Sequence, residues 1–315
     1  MGAAKRIALL GECMLELRGT AFGAMQQGFG GDTLNTAVYL ARLGRLFKVS
    51  ASYATALGDD ALSDGLVQRW STEGVDTSLV RRLPGRTPGL YQITVDARGE
   101  RSFSYWRDHS AAKAYFEGGE SPLERAAAEI DALYLSGISL AILPPAGRER
   151  AFALMRRLHE RGVPVVFDNN YRPRLWSRRE EAQDCFLRAY TLCSIALITL
   201  DDEAALHGLA DAEAAQRLAR ALPCAEVVMK RGAGATLIRA GDGHLVEVPT
   251  QAVGMVVDTT AAGDSFGAGY VAARLGGADP RSAADWGNRL AARVIQHPGA
   301  LIPREAMADL MAGIV

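Results

Sequence analysis

The sequence predicts an α/β fold, a mainly parallel sheet flanked by helices on both faces, and three observations carry this. From about residue 125, short apolar runs alternate with longer segments of helical period, the rhythm of β–α–β units. Polar clusters stand where those runs end, at 168–172, 201–203 and 230–234, and open parallel sheets bind ligands beyond the carboxyl ends of their strands. Two glycine-containing stretches, 28–33 and 258–269, each lead straight into a helical pattern.

In chain order, the apolar run 7–10 predicts a buried strand, cut short by Gly11-Glu12. Gly28-Phe29-Gly30-Gly31-Asp32-Thr33 opens a helix over 34–43, with apolar residues at 34, 37, 38 and 41 and Gly44 as its stop. The paired glycines let a ligand approach the backbone, with Asp32 and Asn35 as polar contacts. A plain turn with a helix cap has the same pattern. Residues 49–56 predict a strand and 60–73 a helix. Residues 91–95 and 101–107 flank Asp96-Ala97-Arg98-Gly99-Glu100, a hairpin signal. Alternation puts Tyr91, Ile93 and Val95 on one face of the first strand, and Phe103, Tyr105 and Arg107 on one face of the second. A phenol and a guanidinium two residues apart can grip a carboxylate jointly, although a half-exposed sheet face with a solvated Arg reads the same way. The later rhythm gives strands at 132–135, 163–167, 195–200 and 226–229, and helices at 148–160, 178–190 and 212–222.

A chain of 315 residues fits one α/β domain carrying a small appendage. With 49% hydrophobic and 23% charged residues it can bury a sizeable core, which argues against gross disorder. A net charge of −1 without a Lys/Arg block gives no support to a nucleic-acid partner. No apolar run is long enough to cross a bilayer, so no membrane association and a cytoplasmic location are expected. Cysteines 13, 185, 193 and 224 form no Cys-x-x-Cys pair, which argues against a zinc site or a disulfide frame. There is no Gly-x-x-x-x-Gly-Lys-Ser/Thr run, and no Gly-x-Gly-x-x-Gly follows the first strand, which weakens a dinucleotide reading.

The chemistry centres on Asp258-Thr259-Thr260-Ala261-Ala262-Gly263-Asp264-Ser265-Phe266, which follows the apolar run 253–257 and opens a helix reaching Leu275. Small residues at a helix start leave N–H groups and the positive dipole end uncovered, an anion site. A carboxylate beside it, Asp264, should repel the anion unless a third partner lies between them. A hydroxyl attacking a phosphoryl group fits: Asp264 takes the proton while the amides steady the developing charge. Asp264 as a simple helix cap is the alternative.

With both glycine stretches in view, the chain resembles the ribokinase-like sugar kinases end to end. Gly30-Gly31-Asp32-Thr33-Leu34-Asn35 is similar to the family's N-terminal signature, and 258–271 to its longer C-terminal one. The runs at 11–14, 134–140 and 167–176 resemble those of the family's sugar-acid kinases. The resemblance implies one kinase domain over 1–315 with a small β-sheet lid built near 12–30 and 75–110. It implies ATP-dependent phosphorylation of 2-keto-3-deoxygluconate at its terminal hydroxyl. Asp264 would be the general base, with the 261–263 amides as the anion hole. Gly31, Asp32, Asn35, Tyr91, Tyr105, Arg107, Arg172 and Asp258 would contact the sugar acid. Asn170, Lys230, Arg231, Gly232, Gly234 and Gly263 would line the nucleotide site. Mg²⁺ would accompany the phosphates, and a homo-oligomer would form through the lid.

Two positions depart from the family pattern. Ala261 stands where Gly is usual, which is tolerable if the position needs no positive φ. In the family's Asn-x-x-Glu metal motif Glu203 matches, but Leu200 replaces the Asn; Glu203 or Asp202 would then orient Mg²⁺ through water. Competing functions are a neutral-ketose kinase, for fructose for instance, and a nucleotide-binding sensor or nicotinamide-dependent dehydrogenase.

Overall fold

The computed structural model describes residues 3–95, 101–241 and 243–312. Its strands are β1 Lys5–Leu10, β2 Met14–Gly19, β3 Met25–Gly30, β4 Val49–Ala54, β5 Ala56–Leu57, β6 Arg81–Arg82, β7 Gly89–Val95, β8 Arg101–Trp106, β9 Ala132–Ser136, β10 Val165–Asp168, β11 Ile195–Thr199, β12 Glu226–Arg231, β13 Gly234–Arg239 and β14 Leu245–Val248. Its α-helices are α1 Asp32–Phe47, α2 Ala61–Thr72, α3 Pro122–Arg125, α4 Gly137–Ile142, α5 Pro145–Glu160, α6 Arg179–Leu192, α7 Leu200–His207, α8 Ala212–Arg220, α9 Ala262–Leu275, α10 Pro280–Val294 and α11 Ala308–Ala312.

Eight strands form the main sheet in the order β14-β13-β12-β11-β10-β9-β1-β4. Pairing is parallel from β12 through β4 and antiparallel at the β13–β14 edge. Alternation along each strand divides the interior into two cores. Ile7 and Leu9 of β1 face the core shared with α1, α9 and α10, whereas Ala8 and Leu10 face that of α4, α5 and α6. The near-continuous apolar strands at 7–10, 132–135 and 195–198 are those buried on both faces.

A second sheet, ordered β3-β2-β7-β8, stands apart from the first. The segments 91–95 and 101–106 do pair antiparallel, with Tyr91 opposite Tyr105 and Ile93 opposite Phe103. The turn expected at 96–100 lies outside the described residues.

Several boundaries differ from the sequence expectation. Helix α1 runs past Gly44 to Phe47 and ends at Lys48, which takes a left-handed φ of 55°. Leu200 begins α7 instead of ending a strand. The cluster at 230–234 is no loop: Lys230 and Arg231 end β12, Gly232 and Ala233 make the turn, and Gly234 begins β13. Helix α10 had no sequence expectation at all. The apolar run 253–257 is irregular, with Met255 68% and Val256 54% exposed.

Candidate active site

Two helix starts and four strand ends converge. Helices α1 and α9 belong to one core, and their first turns touch: the Asn35 amide donates from Nδ2 to Asp264 Oδ2 (2.8 Å), and the Thr36 hydroxyl donates to the Asp264 carbonyl (3.3 Å). From the sheet come Ser136 at the end of β9, Asp168 at the end of β10, Thr199 at the end of β11 and Lys230 near the end of β12. The Asp32 carboxylate accepts from the Ser136 hydroxyl and from Asn170 Nδ2 (2.7 Å). Asp168 accepts from the Tyr134 hydroxyl (3.0 Å) and from Lys230 Nζ (3.2 Å).

Two cavities meet there. One, of about 440 Å³, lies between the small sheet and the first turns of α1 and α9, and Gly31, Asp32, Tyr91, Tyr105, Asp168, Asn170, Arg172, Asp202 and Asp264 line it. The other, of about 670 Å³, runs from Lys230–Ala233 past the 250–256 segment to Asn288, Ala291 and Ile295 of α10. They share Thr199, Lys230, Thr259, Ala262 and Gly263. A β-carbon on Gly31 would come within 2.2 Å of the Glu12 carbonyl, so the chain passes this wall only as glycine.

Charge is concentrated at the junction. Burial pushes the Asp264 carboxyl up to about 7, helped by the neighbouring Asp32 charge and Asp168, and opposed by the Asn35 hydrogen bond and Lys230. Burial also raises Asp32 and, against the pull of Arg172, Asp202. A carboxyl titrating near neutrality inside a cleft is suited to accept a proton from a bound hydroxyl.

The geometry redistributes several expected roles. Asn35 holds Asp264 and does not line the smaller cavity. Asn170, expected at the nucleotide, lines the smaller cavity, bonded to Asp32. Asp258 folds its own loop: Oδ1 accepts from the Thr260 amide (3.0 Å) and hydroxyl (2.6 Å), Oδ2 from the Gly299 amide (2.9 Å). Among the three expected anion-hole amides, that of Ala262 donates to the Thr259 carbonyl (3.2 Å), which leaves those of Ala261 and Gly263. Lys230, Arg231 and Gly232 line the larger cavity, whereas Gly234 does not. Arg107 is absent from both cavity walls. Its guanidinium pairs with Glu12, which is 2% exposed. Strand β8 ends at Trp106, so the alternation that aims Tyr105 into the cavity no longer governs residue 107.

Glu203 is likewise corrected. It is fully buried, accepting from the Tyr190 hydroxyl (2.8 Å) and Asn169 Nδ2 (3.2 Å), with His207 at 3.4 Å. A water-mediated metal contact needs an open face that it lacks. Among the described residues no group of three or more His, Cys, Asp or Glu could hold a metal. Mg²⁺ commonly takes one or two carboxylates and leaves its remaining positions to phosphates and water, and Asp202, open to the cavity, fits that demand.

Ala261 adopts φ 62° and ψ 16°, so the condition under which a methyl would be harmless is not met. A left-handed L-residue costs roughly 1–2 kcal/mol relative to Gly. Ala261→Gly is expected to raise stability by about 1 kcal/mol, the relief being reduced by the freer unfolded chain. A lowered denaturant midpoint would contradict strain at this position.

Known proteins agree with this architecture. The pfkB family carbohydrate kinase profile matches residues 4–307. The chain is 48% identical over 307 residues to the 2-dehydro-3-deoxygluconokinase of Escherichia coli (strain K12), covering 96% of this chain and 99% of that one. It is 45% identical over 307 residues to the enzyme of the same name from Dickeya dadantii (strain 3937), covering 96% and 98%. The crystal structure of a PfkB protein from Polaromonas sp. JS666 superposes with a TM-score of 0.82 at 27% identity, covering 99% of this chain and all of that one. The fold is ribokinase-like, and no helix among the described residues is long and apolar enough to cross a membrane. The chain belongs to the pfkB family of carbohydrate kinases.

Proposed function

We propose that the protein transfers the terminal phosphoryl group of ATP to the C6 hydroxyl of 2-keto-3-deoxygluconate, with Asp264 as general base. One observation carries the chemistry: Asp264, raised to about 7, lines the smaller cavity next to Gly263 of the shared wall and is aimed by Asn35. The substrate rests on the near-full-length identity to 2-dehydro-3-deoxygluconokinases.

In this reading the sugar acid occupies the cavity under the small sheet, which acts as the lid, and ATP occupies the larger one. The terminal hydroxyl gives its proton to Asp264 as its oxygen attacks the γ-phosphorus. The free amides at the start of α9 take up charge on the transferred group. Asp202 would hold Mg²⁺ together with the phosphates, and the ion would neutralise charge there. Tyr91, held by Glu16, and Tyr105 wall the sugar. A cytoplasmic location, where ATP is available, goes with this reading, and so does pairing of copies through the small sheet, where Phe22 and Trp106 are exposed.

Besides Lys230, one cation lines the cavity where the substrate carboxylate would lie. Arg172 lines the cavity, paired with Asp202 at 3.1 Å and half-exposed. Arg107 would first have to leave Glu12, an observation that favours a neutral ketose as the second reading. ADP release measured across a panel of sugar acids and ketoses separates the two. A hydrogen bond to a charged group contributes roughly 1.5–3 kcal/mol, so Arg172→Ala should lower kcat/KM for 2-keto-3-deoxygluconate about tenfold to a hundredfold. Residual turnover of fructose should scarcely change. Equal losses on both sugars would remove Arg172 from carboxylate recognition, and fructose preferred by the unaltered protein would overturn the substrate.

A further inference from the structure

The wall shared by the two cavities contains Thr199, Lys230, Thr259, Ala262 and Gly263, and of these only Lys230 is charged. Its Nζ lies 3.2 Å from both oxygens of Asp168. A methyl placed on Gly263 would sit 3.5 Å from the same nitrogen, so the ammonium stands beside the first turn of α9. Its side chain is 11% exposed, and that of Asp168 5%. Asp32, Asp168, Asp202 and Asp264 all line the sugar-side cavity. A phosphoryl group moving from the nucleotide cavity toward a hydroxyl at Asp264 must therefore carry negative charge into a ring of carboxylates. Arg172, the other cation of that cavity, is paired with Asp202 and absent from the shared wall.

An ammonium has three donors and no acceptor. Asp168 accounts for two of those of Lys230, and a third is left for an oxygen arriving in the shared wall. Asp168 is itself steadied by the Tyr134 hydroxyl, so the tether that holds Lys230 in place is rigid. A compact ammonium meets the spread charge of a transferring phosphoryl group as a point charge.

We infer that Lys230 is a catalytic residue of the phosphoryl transfer, its ammonium bonding the oxygens of the group in flight while Asp168 keeps it in the shared wall. The inference rests on the kinase reading above. The bond from the γ-phosphorus to the bridging oxygen breaks, the bond to the sugar oxygen forms, and the sugar proton goes to Asp264. Lys230 remains protonated throughout and transfers nothing.

The alternative is that Lys230 only neutralises buried Asp168, and four proteins distinguish the two: the unaltered chain, Lys230→Met, Lys230→Arg, and Lys230→Met combined with Asp168→Asn. Each is assayed with ATP and 2-keto-3-deoxygluconate, and each is titrated calorimetrically with a non-hydrolysable ATP analogue. Loss of one donor to a transition-state anion should lower kcat of Lys230→Met about 10²–10³-fold, with sugar KM and analogue affinity changed by less than about tenfold. Lys230→Arg should keep part of the rate, and the double variant should stay as slow as Lys230→Met. A double variant that regains the unaltered kcat would overturn the inference, because neutralising Asp168 would then be the whole role. Analogue affinity that falls as far as kcat would also overturn it, making Lys230 a ground-state nucleotide contact. Turnover kept by Lys230→Met strikes Lys230 alone, whereas no turnover by the unaltered chain on any sugar strikes the kinase reading itself.

Discussion

Asp264→Asn should lower kcat about 10²–10⁴-fold, the contribution typical of a positioned acid–base group, while making the protein more stable at alkaline pH. The second effect follows from the environment of the carboxyl. It titrates at about 7 in the folded chain and near 3.9 when unfolded. The folded state thus holds this proton more tightly, and the associated stability is complete below about pH 4 and lost as pH rises through about 7. Above that the folded chain keeps a carboxylate buried against Asp32 and Asp168, a burden of up to about 4 kcal/mol for a three-unit shift. Asparagine carries no such charge and can still accept from Asn35. Melting curves should therefore show the variant's advantage widening from pH 5 to pH 8. A difference independent of pH would mean that Asp264 titrates as an ordinary carboxylate. In the unaltered chain, kcat/KM should fall as pH drops below about 7, and a rate that stays level down to pH 5 would remove Asp264 as the base.

The largest structural effect is expected at Arg107. Its pair with Glu12 joins the end of the small sheet to the loop after β1, and both side chains are nearly enclosed, at 11% and 1% exposure. Glu12 Oε1 and Arg107 Nε have no further partner among the described residues, so each charge depends on the other. Arg107→Ala would leave a buried carboxylate without its cation, a change that typically destabilises by about 3–5 kcal/mol. Glu12→Gln in the same chain should recover most of that loss. The midpoint of denaturant unfolding measures both. A loss under about 1 kcal/mol, the range of exposed pairs, would mean that water reaches the pair.

What could be read in the sequence was whatever local pattern dictates. A run of small residues leading into a helical period is a local pattern, so the start of α9 at Ala262 could be placed without coordinates. Strand alternation likewise aimed Tyr91 and Tyr105 correctly relative to one another, since they sit opposite in the ladder. Roles set by distant partners could not be read this way. Asn35 looked like a ligand contact because nothing near it in sequence shows Asp264. Asp258 looked like a contact because an Asx turn and a substrate contact need the same side chain. Glu203 matched a motif whose meaning depends on exposure, and burial under Tyr190 is invisible in the chain. The rest of the larger cavity's wall, beyond Lys230, Arg231, Gly232 and Gly263, escaped notice for another reason. The 250–256 segment has no period, and α10 presents Ala291 and Ala292 to the cavity, residues too small to mark a face.

The hydrogen bond from Asn35 to Asp264 joins residues 229 positions apart. Strand β1 completes its place in the sheet only when β9, which starts at residue 132, arrives beside it. During synthesis from the amino terminus, the glycine turn and α1 leave the ribosome long before α9 exists. For most of that interval the residues lining the smaller cavity have no Asp264 opposite them and no helix to cover the apolar face of α1. A nascent chain halted anywhere before α9 is made will carry no transferase activity, however well its first half has folded. Onset of ADP release during timed translation therefore reports the docking of the last third of the chain, not the folding of the first.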